Sequence, residues 1–234
     1  MVAGSFYPGS IQRLEWILKE CFLSKLGPGY IPNKPDKLLE KNFAIIVPHA
    51  GYIYSGPVAA HAYAEITKFG KPELVILIGP NHTGLGPIAS IMSEGEWSIP
   101  TGRFRINSEL AREIIRRTNL VSPDTKAHLF EHSLEVQLPF IAYRAHQEGR
   151  EVPEIVPLVL GPLALDECRT LGEVIGMVVS DLKLNSVIVA SSDMSHYVSD
   201  STARQKDKKA IQRILSLDPE GLYHIVKEEK ISMC

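Results

Sequence analysis

The sequence predicts a single α/β domain over residues 1–234, an α/β/α sandwich on a mainly parallel or mixed sheet. Two patterns carry this expectation. Residues 43–47, 74–78, 155–160 and 186–190 are continuously apolar, as strands buried on both faces are. Between them, apolar residues recur at helical spacing, so strand and helix alternate along the chain. With 234 residues, 44% of them hydrophobic and 22% charged, the chain is long enough to bury one substantial core.

The elements follow in order. Ile11, Leu14, Leu18 and Cys21, with Ile17 and Phe22, form the apolar stripe of a first helix. Trp16, one residue off that stripe, is expected in the core. After the strand at 43–47, Ser55 is expected to cap a helix with Pro57 in its first turn. That helix runs through Ala59, Ala60 and Tyr63 to a stop near Gly70. The stretch 88–105 is turn-rich and alternating, a source of short extra strands. Asn107 or Ser108 opens a helix that turns Leu110, Ala111, Ile114 and Ile115 inward. Further helices are expected over 131–147, 166–181, 199–216 and 219–228. The run RQKDKK at 204–209 reads as a solvated helix face, and no repeat or linker interrupts the chain.

Charge and composition narrow the function. Lys and Arg number 25 against 27 Asp and Glu, a net charge of −2, which argues against a nucleic-acid partner. No apolar run reaches the ~18–20 residues of a membrane span; the longest, 155–165, is broken by Pro157 and Pro162. The first ten residues lack the basic and apolar regions of a secretory signal. Cys21, Cys168 and Cys234 form no CxxC pair, so a reducing, cytoplasmic setting is expected. Cys21 and Cys168 fall in helical segments and are expected to be packed thiols.

Polar residues gather where the strands stop. The first strand runs into Pro48-His49-Ala50-Gly51-Tyr52, and the second into Gly79-Pro80-Asn81-His82-Thr83-Gly84. The last runs into Ser191-Ser192-Asp193-Met194-Ser195-His196. Sites in open α/β sheets form outside the carboxyl ends of the strands, where loops converge on a rigid scaffold. One histidine at a strand end is usually a loop residue facing solvent, and Asp193 could simply cap a following helix. Three equivalent positions filled in this way point instead to one crevice. Neutral imidazoles on separate strands suit a divalent transition metal that keeps open positions. Asn81, Tyr54, His132 and Ser192 are the further candidates for the pocket. His132 is expected to start a helix whose N-terminus favours bound anions.

Three patterns compete. His128-Leu129-Phe130-Glu131-His132 matches the H-x-x-E-H of zinc metallopeptidases, with Glu131 as base. Ser122-Pro123-Asp124 leaves little helix before His128, and no downstream acidic residue is singled out as a third ligand, so this reading ranks lower. Residues 84–89, GLGPIA, imitate a dinucleotide fingerprint but contain Pro87 in an extended context. No G-x-S-x-G supports a serine nucleophile at Ser191 or Ser192.

Five ordered motifs make a resemblance specific: AGSFYP (3–8), PHAGYIYSG (48–56), GPNHTG (79–84), EHSLEVQLPF (131–140) and SSDMSHY (191–197). Together they resemble the Memo family, whose microbial members are also called the B component of the AmmeMemoRadiSam system. That family is similar in fold to class III extradiol dioxygenases, which cleave catechol-type rings with non-haem Fe(II) held by two His and a carboxylate. In Memo proteins the carboxylate position resembles a Cys. The resemblance therefore implies His49, His82 and Cys234 as metal ligands, with His196 as the acid–base residue and Asp193 beside it. A thiol softens the site toward iron or copper, with zinc an alternative. The family continues beyond this Cys, so closing elements are expected to be missing after Cys234. Two functions are compatible with these residues. One is a dioxygenase-like oxidoreductase acting on a small molecule; the other is a non-catalytic module that holds a peptide or ligand in signalling.

Overall fold

A computed structural model describes residues 2–234. After α1 (Ile11–Leu23) come β1 (Phe43–Val47), α2 (Tyr52–Ile66) and β2 (Leu74–Pro80). The irregular middle supplies β3 (Ala89–Ile91) and the hairpin β4 (Glu96–Ile99) and β5 (Gly102–Arg105). Then follow α3 (Ser108–Arg117), β6 (Ser122–Pro123), α4 (Lys126–Leu129), a 3₁₀ turn (Glu135–Gln137) and α5 (Leu138–Gln147). The chain continues through β7 (Glu154–Leu160), α6 (Leu165–Asp181), β8 (Ser186–Ser191), α7 (Asp200–Leu215) and α8 (Pro219–Glu228).

The main sheet has the order β1-β8-β2-β7-β3-β6. Its first four strands are parallel, and β3 runs antiparallel to β7, so the sheet is mixed, as the sequence predicts. The alternation of a strand sorts its side chains between two cores. On β2, Val75 and Leu77 pack on one face with Ala60 and Tyr63 of α2 and Phe140 of α5. Leu74 and Ile76 pack on the other with Ile114 of α3 and Val178 of α6. That is the sandwich.

Several expectations change in the structure. The second helix begins at Tyr52, because the Gly51 carbonyl already accepts the N–H groups of Tyr54 and Ser55. Ser55 donates its hydroxyl to Ala50 O instead of capping, and Pro57 lies inside the helix. The helix ends at Ile66, and the stop near Gly70 has a clear cause. Gly70 has φ +131°, and a Cβ there would meet the Leu38 carbonyl at 2.5 Å. The helix expected from 131 begins only at Leu138; residues 131–132 are irregular and 133–134 form a turn, and their polar groups serve the site described below. β1 is an edge strand, and Ala44 and Ile46 are exposed, so it is not buried on both faces. Trp16 lies on the outer side of α1, 60% exposed, and Cys168 is also exposed. Cys21 is buried as expected. Asn107 caps α3, accepting the Leu110 N–H at 2.9 Å.

No helix among the described residues is long and apolar enough to cross a membrane.

Candidate metal centre

β8 lies between β1 and β2, so the ends of these three parallel strands form one ledge. His49 follows β1 and His82 follows β2, and their ring centroids are 5.2 Å apart. The chain returns at 231–234 to lay Cys234 against them, with Sγ 3.3 Å from His49 Nε2. One donor atom each from His49, His82 and Cys234 lies within 4.8 Å of the others.

The surrounding hydrogen bonds fix which ring nitrogen faces this point. Ser191 has one hydroxyl proton, donated to Ser133 O at 2.6 Å. Its oxygen therefore accepts, from Gln137 Nε2 at 2.9 Å and from His49 Nδ1 at 2.9 Å. Gln137 is itself locked: its Oε1 accepts the Tyr63 hydroxyl and its Nε2 also donates to Pro48 O. Nδ1 of His49 thus carries the proton, and Nε2 holds its lone pair toward Cys234. Only 1% of His49 is exposed. Burial lowers its pKa to about 4, against the pull of Asp193, so the ring is neutral at neutral pH.

His82 is fixed in the same way. Its Nδ1 donates to Glu131 Oε1 at 2.9 Å and its backbone N–H to Glu131 Oε2 at 2.5 Å, leaving Nε2 as the donor. Glu131 is 2% exposed and also accepts the Ser133 N–H. Burial works against its charge, but the His82 and Ser133 hydrogen bonds hold its pKa below the usual carboxylate range. Asp193 accepts the His49 backbone N–H at 2.7 Å, so it does not cap a helix; Ser199 caps α7. Its other oxygen lies 3.8 Å from His49 Nε2 and 3.8 Å from His196 Nε2. His196 turns Nδ1 to Ser232 O at 2.5 Å, which leaves Nε2 toward Asp193 and the crevice.

The pocket candidates separate. His132 is at the site, stacked between Phe6 and His82 with centroids 4.3 and 4.6 Å away, and burial lowers its pKa. It sits in an irregular stretch, however, and no helix starts there. Ser192 supports the ligand segment by donating to Cys234 O at 2.6 Å. Asn81 is spent on its own loop, accepting from Thr83 and Gly84 and donating to Leu85 O. Tyr54 is 78% exposed, and its hydroxyl has no partner among the described residues.

The metallopeptidase arrangement is absent. α4 ends at Leu129, so His128 and His132 share no helical face. His128 turns away, with Nε2 3.1 Å from Ser90 Oγ and Trp97 against its edge. Glu131 is committed to His82.

Sequence reasoning missed the supporting shell. Glu131 was legible only as a base in the rival motif, and Ser191, Gln137, Phe6 and Ser232 carried no assigned role. The signal was there for Glu131 and Gln137: polar residues in a segment that also carries Leu134, Val136, Leu138 and Phe140, all buried.

A groove of about 810 Å³ lies at the opposite end of the sheet, near the starts of β2 and β7, between Lys71, Glu73, Arg103, Arg150 and Glu154. Its walls mix both signs of charge, and it contains none of the clustered donors.

The fold is that of a class III extradiol dioxygenase-like α/β protein, with the clustered donors at the carboxyl ends of its parallel strands. The family description Memo-like protein matches residues 1–234, and the chain belongs to that family. It is similar to MEMO1 family proteins of Sulfurisphaera tokodaii (42% identical over 235 residues) and Methanopyrus kandleri (41% over 233). A MEMO1 family protein of Sulfolobus acidocaldarius is 42% identical over 237 residues. In each case the whole of this chain matches 81% of the relative.

Proposed function

We propose that His49 Nε2, His82 Nε2 and Cys234 Sγ hold one transition-metal ion in an oxidoreductase-type centre. The observation that supports this is the convergence of three donors whose other hydrogen-bonding atoms are already committed. Bonds of about 2.0–2.3 Å at tetrahedral angles set donors roughly 3.3–3.7 Å apart, so the Cys234–His49 spacing needs little adjustment. Two imidazoles with a thiolate favour iron or copper, with zinc also compatible. Bound, such an ion supplies Lewis-acid and one-electron chemistry to a ligand at its open positions.

The chain's own residues perform the rest. Phe6 and His132 wall the crevice with stacked rings, an aromatic edge for a small-molecule ligand. His196 accepts a proton at Nε2, with Ser232 O holding Nδ1–H and Asp193 offsetting the charge that forms. The burial of His49 and Glu131 keeps water from the inner side.

Cobalt titration of the wild type and of the His49→Ala/His82→Ala double variant tests the metal assignment. The reading requires that the tight site disappear in the double variant while the fold remains. A second reading, a ligand- or peptide-holding module, draws on the thiol standing where the dioxygenases keep a carboxylate. Oxygen uptake by the Fe(II)-loaded protein across a panel of catechols separates the two. Ligand binding without any turnover would favour the module.

A further inference from the structure

The segment 231–234 and the loop 192–197 are joined by reciprocal hydrogen bonds. Ser232 Oγ accepts the His196 N–H at 2.6 Å and donates to His196 O at 3.0 Å, while Ser232 O accepts His196 Nδ1 at 2.5 Å. Two residues on, Cys234 N–H donates to Asp193 O at 3.2 Å, and Ser192 Oγ returns a bond to Cys234 O. Ile231 is buried and anchors one side of the segment. The loop is anchored on the other, because Asp207 of α7 accepts both the N–H and the hydroxyl of Ser195.

One short segment therefore sets two things at once: where the Cys234 sulfur stands, and which nitrogen of His196 faces the crevice. A serine suits the crossing point because its hydroxyl both donates and accepts, as a two-way staple on the His196 backbone requires. We propose that Ser232 is a positioning residue that couples the thiol ligand to the acid–base imidazole. The staple holds Cys234 within reach of the ion, and the same residue's carbonyl keeps His196 as the Nδ1–H tautomer. This rests on the metal reading above and extends it: placement of the thiolate and orientation of His196 are one event, not two. Groups that orient metal ligands typically change affinity by about 10–100-fold when removed.

The test uses the full chain as Ser232→Ala and Ser232→Thr, with two readouts. In the metal-free protein, the side-chain nitrogen NMR shifts of His196 report its tautomer. Cobalt titration reports affinity and the intensity of the thiolate-to-metal band. Ser232→Ala keeps the carbonyl but loses the hydroxyl staple that aims it, so it is expected to shift His196 from one tautomer to a mixture, and to bind cobalt about 10–100-fold more weakly with a diminished band. Ser232→Thr, which keeps the hydroxyl, is expected to restore both. An alanine variant with the wild-type tautomer and affinity would overturn the inference. So would a change in only one readout, because coupling is the claim, and so would failure of threonine to restore either. If the wild type takes up no cobalt, it is the metal reading itself that fails.

Discussion

Glu131 grips His82 at two points, accepting its backbone N–H at 2.5 Å and its ring Nδ1 at 2.9 Å. A separation of 49 positions is closed by one buried carboxylate, which ties the end of β2 to the segment before α5. The carboxylate fixes the tautomer and orients the ring toward the other donors. Glu131→Gln replaces one acceptor oxygen by a donor facing an N–H group. Metal affinity is expected to fall about 10–100-fold, measured by competition with a chromogenic chelator. Unchanged affinity would mean that Glu131 serves packing alone.

The approach of that segment to β2 depends on Gly79. A Cβ there would meet Leu134 Cδ2 at 2.8 Å and Ser133 Oγ at 2.9 Å. Gly79→Ala should cost about 1–3 kcal/mol in urea denaturation, the usual range for overpacking. It should also weaken the metal site, because Ser133 and Glu131 move together. A stable variant with intact metal binding would show that the segment yields freely.

Metal binding should release a proton. Burial pushes the Cys234 thiol above its ordinary pKa, so in the metal-free protein at neutral pH it is protonated. A coordinating thiol is deprotonated, so the proton leaves on binding. Apparent affinity should rise about tenfold per pH unit while the thiol remains protonated. Calorimetry in buffers of different ionisation enthalpy counts the protons, and Cys234→Ser should remove the pH slope. A wild type whose affinity ignores pH would place the thiol outside the site.

Two histidines buried neutral make the metal-free fold acid-sensitive. Burial lowers His49 and His128 from 6.5 to about 4. Between those values the unfolded chain binds protons that the folded chain refuses, so stability falls as pH falls from 6.5 toward 4. Each ring contributes on the order of 3 kcal/mol across the window. Urea denaturation at a series of pH values should show this slope, and His128→Gln should reduce it. A flat profile would mean that these rings protonate in place.

His196 divides the two functional readings. His196→Ala should retain the metal and lose about 10²–10⁴-fold in turnover where the site is an acid–base catalyst. In a binding module the same change would weaken a ligand by about 1.5–3 kcal/mol, with no turnover to lose.

The sequence made the scaffold legible because both signals that define it are local. Strands such as 74–78 are apolar throughout, and the Asn107 cap is written in one residue. The ledge of His49, His82, Asp193 and His196 was legible for a similar reason, since strand ends can be read from strand patterns. What was not legible depends on long-range pairing. Glu131 faces a histidine 49 positions away, and Gln137 reaches the end of β8, 54 positions distant. Once Glu131 is turned to His82, the residues around it adopt a turn, which is why the helix expected from 131 begins at Leu138. The roles of Tyr54 and Asn81 were hidden for a different reason. Neighbourhood in sequence does not say what a side chain bonds to: Asn81 is used within its own loop and Tyr54 is exposed.

The central claim is that Cys234 joins His49 and His82 around one ion, and anaerobic cobalt titration followed by absorption tests it most directly. One equivalent of cobalt should produce a thiolate-to-metal band that Cys234→Ser abolishes and that Cys21→Ser and Cys168→Ser leave intact. A band that survives Cys234→Ser, or tight binding that survives His49→Ala/His82→Ala, would contradict the account.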